Sequence, residues 1–132
     1  MTPASTAHLD APLARWERLG LGIRCAYNPG QPAVIRHWLA LGLKLSQGGI
    51  AQELPLLQRS LRLLLQTSQD EALPWFWRSV CLEHTAWPAA RLVSLLRCHD
   101  PLGAEAVHEI VQRARDLLPP CPPRPPNRGA AA

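Results

Sequence analysis

Residues 72–87, Ala-Leu-Pro-Trp-Phe-Trp-Arg-Ser-Val-Cys-Leu-Glu-His-Thr-Ala-Trp, hold three of the five tryptophans of this chain together with a cysteine and a histidine. Pro74 fits the first turn of a helix, with Asp70 as the expected cap. Leu73, Trp77, Val80, Cys81 and His84 then recur at spacings of four, three, one and three, which places them on one helical face. Trp75 and Phe76 fall to the side of it. Rings this large either fill a core or form a surface for a partner. With Arg78 beside them, Trp75, Phe76 and Trp77 are the candidate partner-binding residues, because tryptophan and arginine are enriched among binding hot spots.

Outward from this segment, caps and breakers divide the chain into six expected helices, and no stretch alternates as a half-buried strand does. The first begins near Asp10 and Pro12 and carries Leu13, Trp16, Leu19 or Gly20, and Ile23 on one face, ending in the turn Asn28-Pro29-Gly30. Pro32 opens the second, with Ile35, Trp38, Leu39, Gly42 and Leu45 as its apolar stripe before Gly48-Gly49. Glycine inside a helix costs about 1 kcal/mol relative to alanine, so Gly42, like Gly20 and Gly22, suggests close approach of another helix. The third helix starts around Pro55 and carries Leu57, Leu61, Leu64 and Leu65 opposite Arg59 and Arg62.

Pro88 begins the fifth helix, with Leu92, Val93 and Leu96 inward. Asp100-Pro101 is a strong cap and first-turn signal for the sixth, whose inward face is Val107, Ile110, Val111, Ala114, and Leu117 or Leu118. The expected fold class is all-α: a compact bundle of five or six short helices. Residues 1–9 are expected to be a flexible start, 10–118 a single domain and 119–132 a disordered proline-rich tail.

The 132 residues suit one domain, and 47% apolar with 18% charged residues place the chain among globular proteins. No apolar run reaches the ~20 residues of a membrane span. The amino terminus lacks the basic start and apolar stretch of a secretory signal, so a cytoplasmic location and no membrane partner are expected. The net charge of +4 falls to +2 without the tail residues Arg124 and Arg128. The arginines are scattered, without the dense stripe of a phosphate track, so no nucleic-acid partner is expected.

Four widely spaced cysteines, Cys25, Cys81, Cys98 and Cys121, point to reduced thiols rather than a disulfide framework. Cys25, Cys81 and Cys98 read first as small core residues. The competing chemistry is a metal site, with iron or zinc as the cofactor. Cys81 and His84 share a helix face at i,i+3 and Cys98-His99 follows one helix later, although no C-x-x-C or H-E-x-x-H pair occurs. His37 approaching Cys25 would give a reactive thiolate, but no nucleophile turn or oxyanion-hole motif accompanies it. No catalytic residue is assigned.

Trp16, Ile23-Arg24-Cys25-Ala26 with Pro29 and Pro32, Ile35, His37, Leu39, Ala40 and Gly42 form one part of a wider pattern. Arg62-Leu63-Leu64-Leu65 with Thr67, Ala72-Leu73-Pro74-Trp75, Trp77-Arg78-Ser79 and Cys81-Leu82 complete it. In these positions the chain resembles the FagA family, small pseudomonad proteins named for association with the ferric uptake regulator. The likeness covers the middle half to two-thirds of the chain.

That family often has histidine where this chain has Phe76. The matching polarizable positions are Cys25, His37 and Cys81, with His84 as a local addition. The resemblance implies expression under iron limitation, beside genes for an iron-independent fumarase and a manganese superoxide dismutase. Two functions follow as expectations: a non-enzymatic accessory protein that binds a protein partner through Trp75 to Arg78, and an iron- or other metal-binding protein using Cys25, His37, Cys81 and His84.

Overall fold

A computed structural model describes the backbone of residues 3–123 and the side chains of residues 11–123. The described residues form six helices and no strand: α1 (Pro3–Arg24), α2 (Ala33–Gln47), α3 (Glu53–Ser68), α4 (Trp75–Glu83), α5 (Ala86–Leu96) and α6 (Pro101–Leu117). The expected all-α bundle is the observed one. Helix α3 is its axis and packs against each of the other five.

The leucine run of α3 explains that central place. Leu56 and Leu64 join a first hydrophobic cluster with Trp16, Ile23, Ile35, Trp38, Leu45, Trp77, Val80 and Cys81. Leu57, Leu61 and Leu65 join a second with Leu82, Leu92, Val111 and Ala114. Leucines one residue apart lie about 100° apart around a helix, so the pairs Leu56/Leu57 and Leu64/Leu65 present two adjacent apolar faces. A helix with apolar residues over so wide an arc must be covered on both sides.

Helices α1 and α2 form a quasi-symmetric pair. Each carries a tryptophan followed four residues later by a glycine, Trp16 with Gly20 and Trp38 with Gly42. Each glycine receives the other helix's indole. A Cβ at position 42 would stand 2.9 Å from Trp16 Nε1, and one at position 20 would stand 3.0 Å from Trp38 Nε1. The two rings stack with centroids 5.1 Å apart and planes 13° from parallel. The close approach expected at Gly42 and Gly20 is therefore made by tryptophan rings.

The two helices also stop alike. Beyond α1, the Tyr27 N–H reaches the Gly22 carbonyl (3.0 Å) and the Ala26 N–H the Ile23 carbonyl (3.1 Å), with Ala26 left-handed at φ 51°. Beyond α2, the Ile50 N–H reaches the Leu45 carbonyl (3.0 Å) and the Gly49 N–H the Ser46 carbonyl (3.2 Å), with Gly49 at φ 74°. Both are Schellman terminations that satisfy otherwise free carbonyls. The first helix thus ends before Asn28-Pro29-Gly30.

Several other boundaries shift for physical reasons. Helix α1 begins at Pro3 and runs through Pro12, so residues 3–9, expected to be a flexible start, are helical, while residues 1 and 2 lie outside the described residues. Helices α3 and α5 begin two residues before Pro55 and Pro88, which therefore sit in the first turn, where a missing N–H leaves no hydrogen bond unmade. The Asp100 cap forms as expected, with its Oδ1 accepting the Gly103 N–H at 2.9 Å.

Asp70 does not cap α4. It accepts the Ala72 N–H at 3.0 Å and takes Arg24 Nη1 at 2.7 Å, tying the end of α1 to the α3–α4 turn. The Arg24 hydrogen bond, followed by that of Ala72, holds its carboxyl below its ordinary pKa.

On α6, Val111 and Ala114 are buried, but Ile110 and Leu117 face outward, 50% and 61% exposed. Helix α6 packs mainly on α5 and meets α3 only sparsely, so the rest of its surface faces solvent. Residues 119–123 carry no regular structure and are exposed; residues 124–132, the rest of the expected disordered tail, lie outside the described residues. No helix among the described residues is long and apolar enough to cross a membrane.

Candidate functional site

Helix α4 is built from the segment that first drew attention, and its four leading residues have three different fates. Trp77 is 1% exposed and its Nε1 donates to the Ile23 carbonyl at 2.9 Å. That bond satisfies the one polar atom of a buried indole and fixes α4 against the end of α1. Arg78 is also buried, because its Nε donates to the Ser68 carbonyl at 2.9 Å. Ser68 is the last residue of α3, where carbonyls lack helical partners and a cation complements the helix dipole.

Of the expected partner-binding set Trp75, Phe76, Trp77 and Arg78, the last two are buried and only Trp75 and Phe76 reach the surface. Trp77 and Arg78 anchor the helix from beneath. Phe76 is 55% exposed, and Trp75 is half-buried, with its Nε1 donating to the Pro119 carbonyl at 2.7 Å. The indole and phenyl rings thus stand side by side in sequence on a helix start whose other side is locked into the core.

The expected metal ligands are dispersed. Cys25 is exposed at the end of α1, His37 is exposed on α2, Cys81 is fully buried on α4 and His84 is half-buried just beyond it. Among the described residues no group of three or more His, Cys, Asp or Glu side chains could hold a metal ion. Burial pushes the Cys81 thiol up to about 12, so the thiolate that a metal or electrophile requires is strongly disfavoured. His84 Nδ1 lies 2.8 Å from the Val80 carbonyl one turn back; a carbonyl only accepts, so that nitrogen carries the proton.

The core reading of the thiols holds for Cys81 and fails for Cys25 and Cys98, which are exposed. Cys25 follows the last residue of α1 and Cys98 lies beyond the end of α5. At such chain turns no second helix covers the side chain.

A shallow apolar groove of about 390 Å³ runs between α2 and the α4–α5 junction, with Leu39, Leu43 and Trp87 along it and Arg36, Glu83 and His84 at its polar parts. Trp87 is 44% exposed there.

The Trp75–Pro119 bond was not anticipated from sequence. Its two ends lie 44 residues apart, and nothing local in the sequence marks their meeting. No protein-family model, curated protein or solved structure matches this chain.

Proposed function

We propose that this chain is a non-enzymatic protein that acts by binding a protein partner through the Trp75–Phe76 face. The observation that carries this is the division of labour within α4: Trp77 and Arg78 are hydrogen-bonded beneath the helix while Phe76 stays 55% exposed above it. A helix already anchored beneath presents its aromatic side chains with little backbone freedom left to lose on binding, which favours a contact hot spot.

The FagA-like pattern supports placing this activity in the bacterial response to iron limitation and in the cytoplasm. Its matching residues include Trp75, Trp77 and Arg78. Trp77 and Arg78 are buried and hydrogen-bonded, and Trp75 is half-buried.

A photo-crosslinking residue at position 76, compared with one at exposed position 18 on α1, tests the proposal in cells grown with and without iron. A discrete adduct from position 76, enriched under iron limitation and weakened by Trp75→Ala, is the expected result. Equal adduct patterns from both positions would sink it.

A further inference from the structure

Trp75 and the tail make a contact whose chemistry is more specific than an apolar patch. The Nε1 of Trp75 donates to the carbonyl of Pro119 across 44 residues at 2.7 Å. Pro119 opens the run Pro119-Pro120-Cys121-Pro122-Pro123. Leu118, which leads into it, has φ −68° and ψ 121°, close to the polyproline II region. A chain in that conformation makes no internal hydrogen bonds, and proline has no N–H to offer a neighbour. Its carbonyls therefore need donors from elsewhere, and an indole N–H at a partly exposed ring edge is such a donor. Aromatic grooves that bind proline-rich segments use this combination of ring surface and donor on a preformed, low-entropy helix.

The segment is held at both sides of the contact. Leu118 packs against the second hydrophobic cluster, which delivers Pro119 to Trp75, and Trp77 and Arg78 hold α4 in place. Phe76, the next residue of the helix, is 55% exposed.

We infer that the start of α4 is a recognition site for proline-rich segments in the polyproline II conformation. The chain's own tail, which meets the site through the Pro119 carbonyl, is its resident occupant, and a partner's proline-rich segment binds by displacing it. The inference rests on the proposal that Trp75 and Phe76 form the binding face, and it names the chemistry of what that face accepts. Tethering supplies the resident segment at an effective concentration on the order of mM, so a free peptide competes poorly until the tail is weakened. The proline run is then both ligand and guard of the same site.

The test uses the full chain in two forms: unaltered, and with Pro119→Gly, Pro120→Ser, Pro122→Gly and Pro123→Ser, which keep the length but remove the preformed conformation. The probe is a synthetic peptide of residues 118–126 bearing Cys121→Ser. The readout is the indole N–H resonance of Trp75 in ¹⁵N-labelled protein, assigned by its loss in Trp75→Phe.

The altered chain should bind the peptide at least ~10-fold more tightly than the unaltered one, with shifts centred on Trp75. Trp75→Phe in the altered chain, followed through the backbone amide resonances of α4 because the indole signal is gone, should abolish peptide binding while helical circular dichroism is unchanged. No binding by the altered chain, or binding that survives Trp75→Phe, overturns the inference. A position-76 adduct that persists beside such a negative result would leave the binding face standing and remove only the proline specificity. A concentration-dependent dimer of the unaltered chain would mean that copies exchange tails, and would overturn occupancy by the chain's own segment.

Discussion

The two hydrophobic clusters share α3 but differ in how they are made. The first, among α1 to α4, is built around Trp16, Trp38 and Trp77. Its indoles stack, fit against Gly20 and Gly42, and donate to carbonyls at Trp16 and Ile23. The second, among α3 to α6, consists of leucine, valine and alanine, with no polar atom in its side chains. The indoles fit only where their shape is cleared, and the N–H groups of Trp38 and Trp77 must also be met, so the first cluster specifies one arrangement of its helices. Aliphatic packing is non-directional and tolerates exchange at constant volume. The proposed binding face lies at the start of α4, next to Trp77 of the first cluster.

The largest contrast should be chemical. With its pKa at about 12, Cys81 in the first cluster holds a thiolate population about three orders of magnitude below that of an ordinary thiol. The exposed thiols of Cys25, Cys98 and Cys121 should react with a disulfide reagent in the native protein, and Cys81 only after denaturation. A fourth thiol reacting at the native rate would mean that the tryptophan cluster opens readily.

Conservative core changes should separate the clusters next. Trp38→Phe removes ring volume and the 2.9 Å bond to the Trp16 carbonyl and should cost about 2–4 kcal/mol by denaturant unfolding. Leu92→Met in the second cluster should cost less than about 1.5 kcal/mol. Trp16→Phe should cost about 1–2 kcal/mol less than Trp38→Phe, because the buried Trp16 Nε1 has no acceptor among the described residues. Equal costs at positions 38 and 92 would erase the distinction.

Gly42→Ala probes the clearance alone. The new Cβ meets Trp16 Nε1 at 2.9 Å and Leu56 Cδ2 at 3.3 Å. Overpacking of about 1–3 kcal/mol is offset by about 1 kcal/mol of helix propensity, so a net loss of about 1 kcal/mol is expected. A stabilised variant would show that the rings have room to move.

Asp70→Asn should have the smallest effect, since its ion pair with Arg24 lies at the surface. The carboxyl is held below its ordinary pKa, so the contribution is complete above the unfolded-state value of about 4 and fades as pH falls through the lower folded value. The stability difference between wild type and Asp70→Asn should therefore be present at pH 7 and close in acid. A difference that grows on acidification would assign the effect to another group.

Much of the helical order was legible along the chain. The caps at Asp100 and Gly48-Gly49, the close approach at Gly42 and the inward placement of Trp38, Trp77 and Cys81 are all local signals of turn chemistry or periodicity, and they were met. The candidate site was legible only as a segment. Periodicity put Trp75 and Phe76 beside the buried face but was silent on Arg78, whose burial depends on the end of α3 lying beneath it. The repeated spacing of Trp16 with Gly20 and Trp38 with Gly42 was a usable sign that α1 and α2 pair.

By itself the sequence determined an all-helical chain of six segments, the breaks between them, and which residues have the size and apolarity to form a core. These are properties of neighbouring residues, set by φ/ψ limits, capping groups and a 3.6-residue period. Only the tertiary structure decided that α3 divides the core in two, that Cys25 and Cys98 face outward while Cys81 does not, and that the Trp75 indole meets Pro119. Burial and long-range hydrogen bonds depend on which distant segments arrive to cover a face, and no local pattern encodes that arrival.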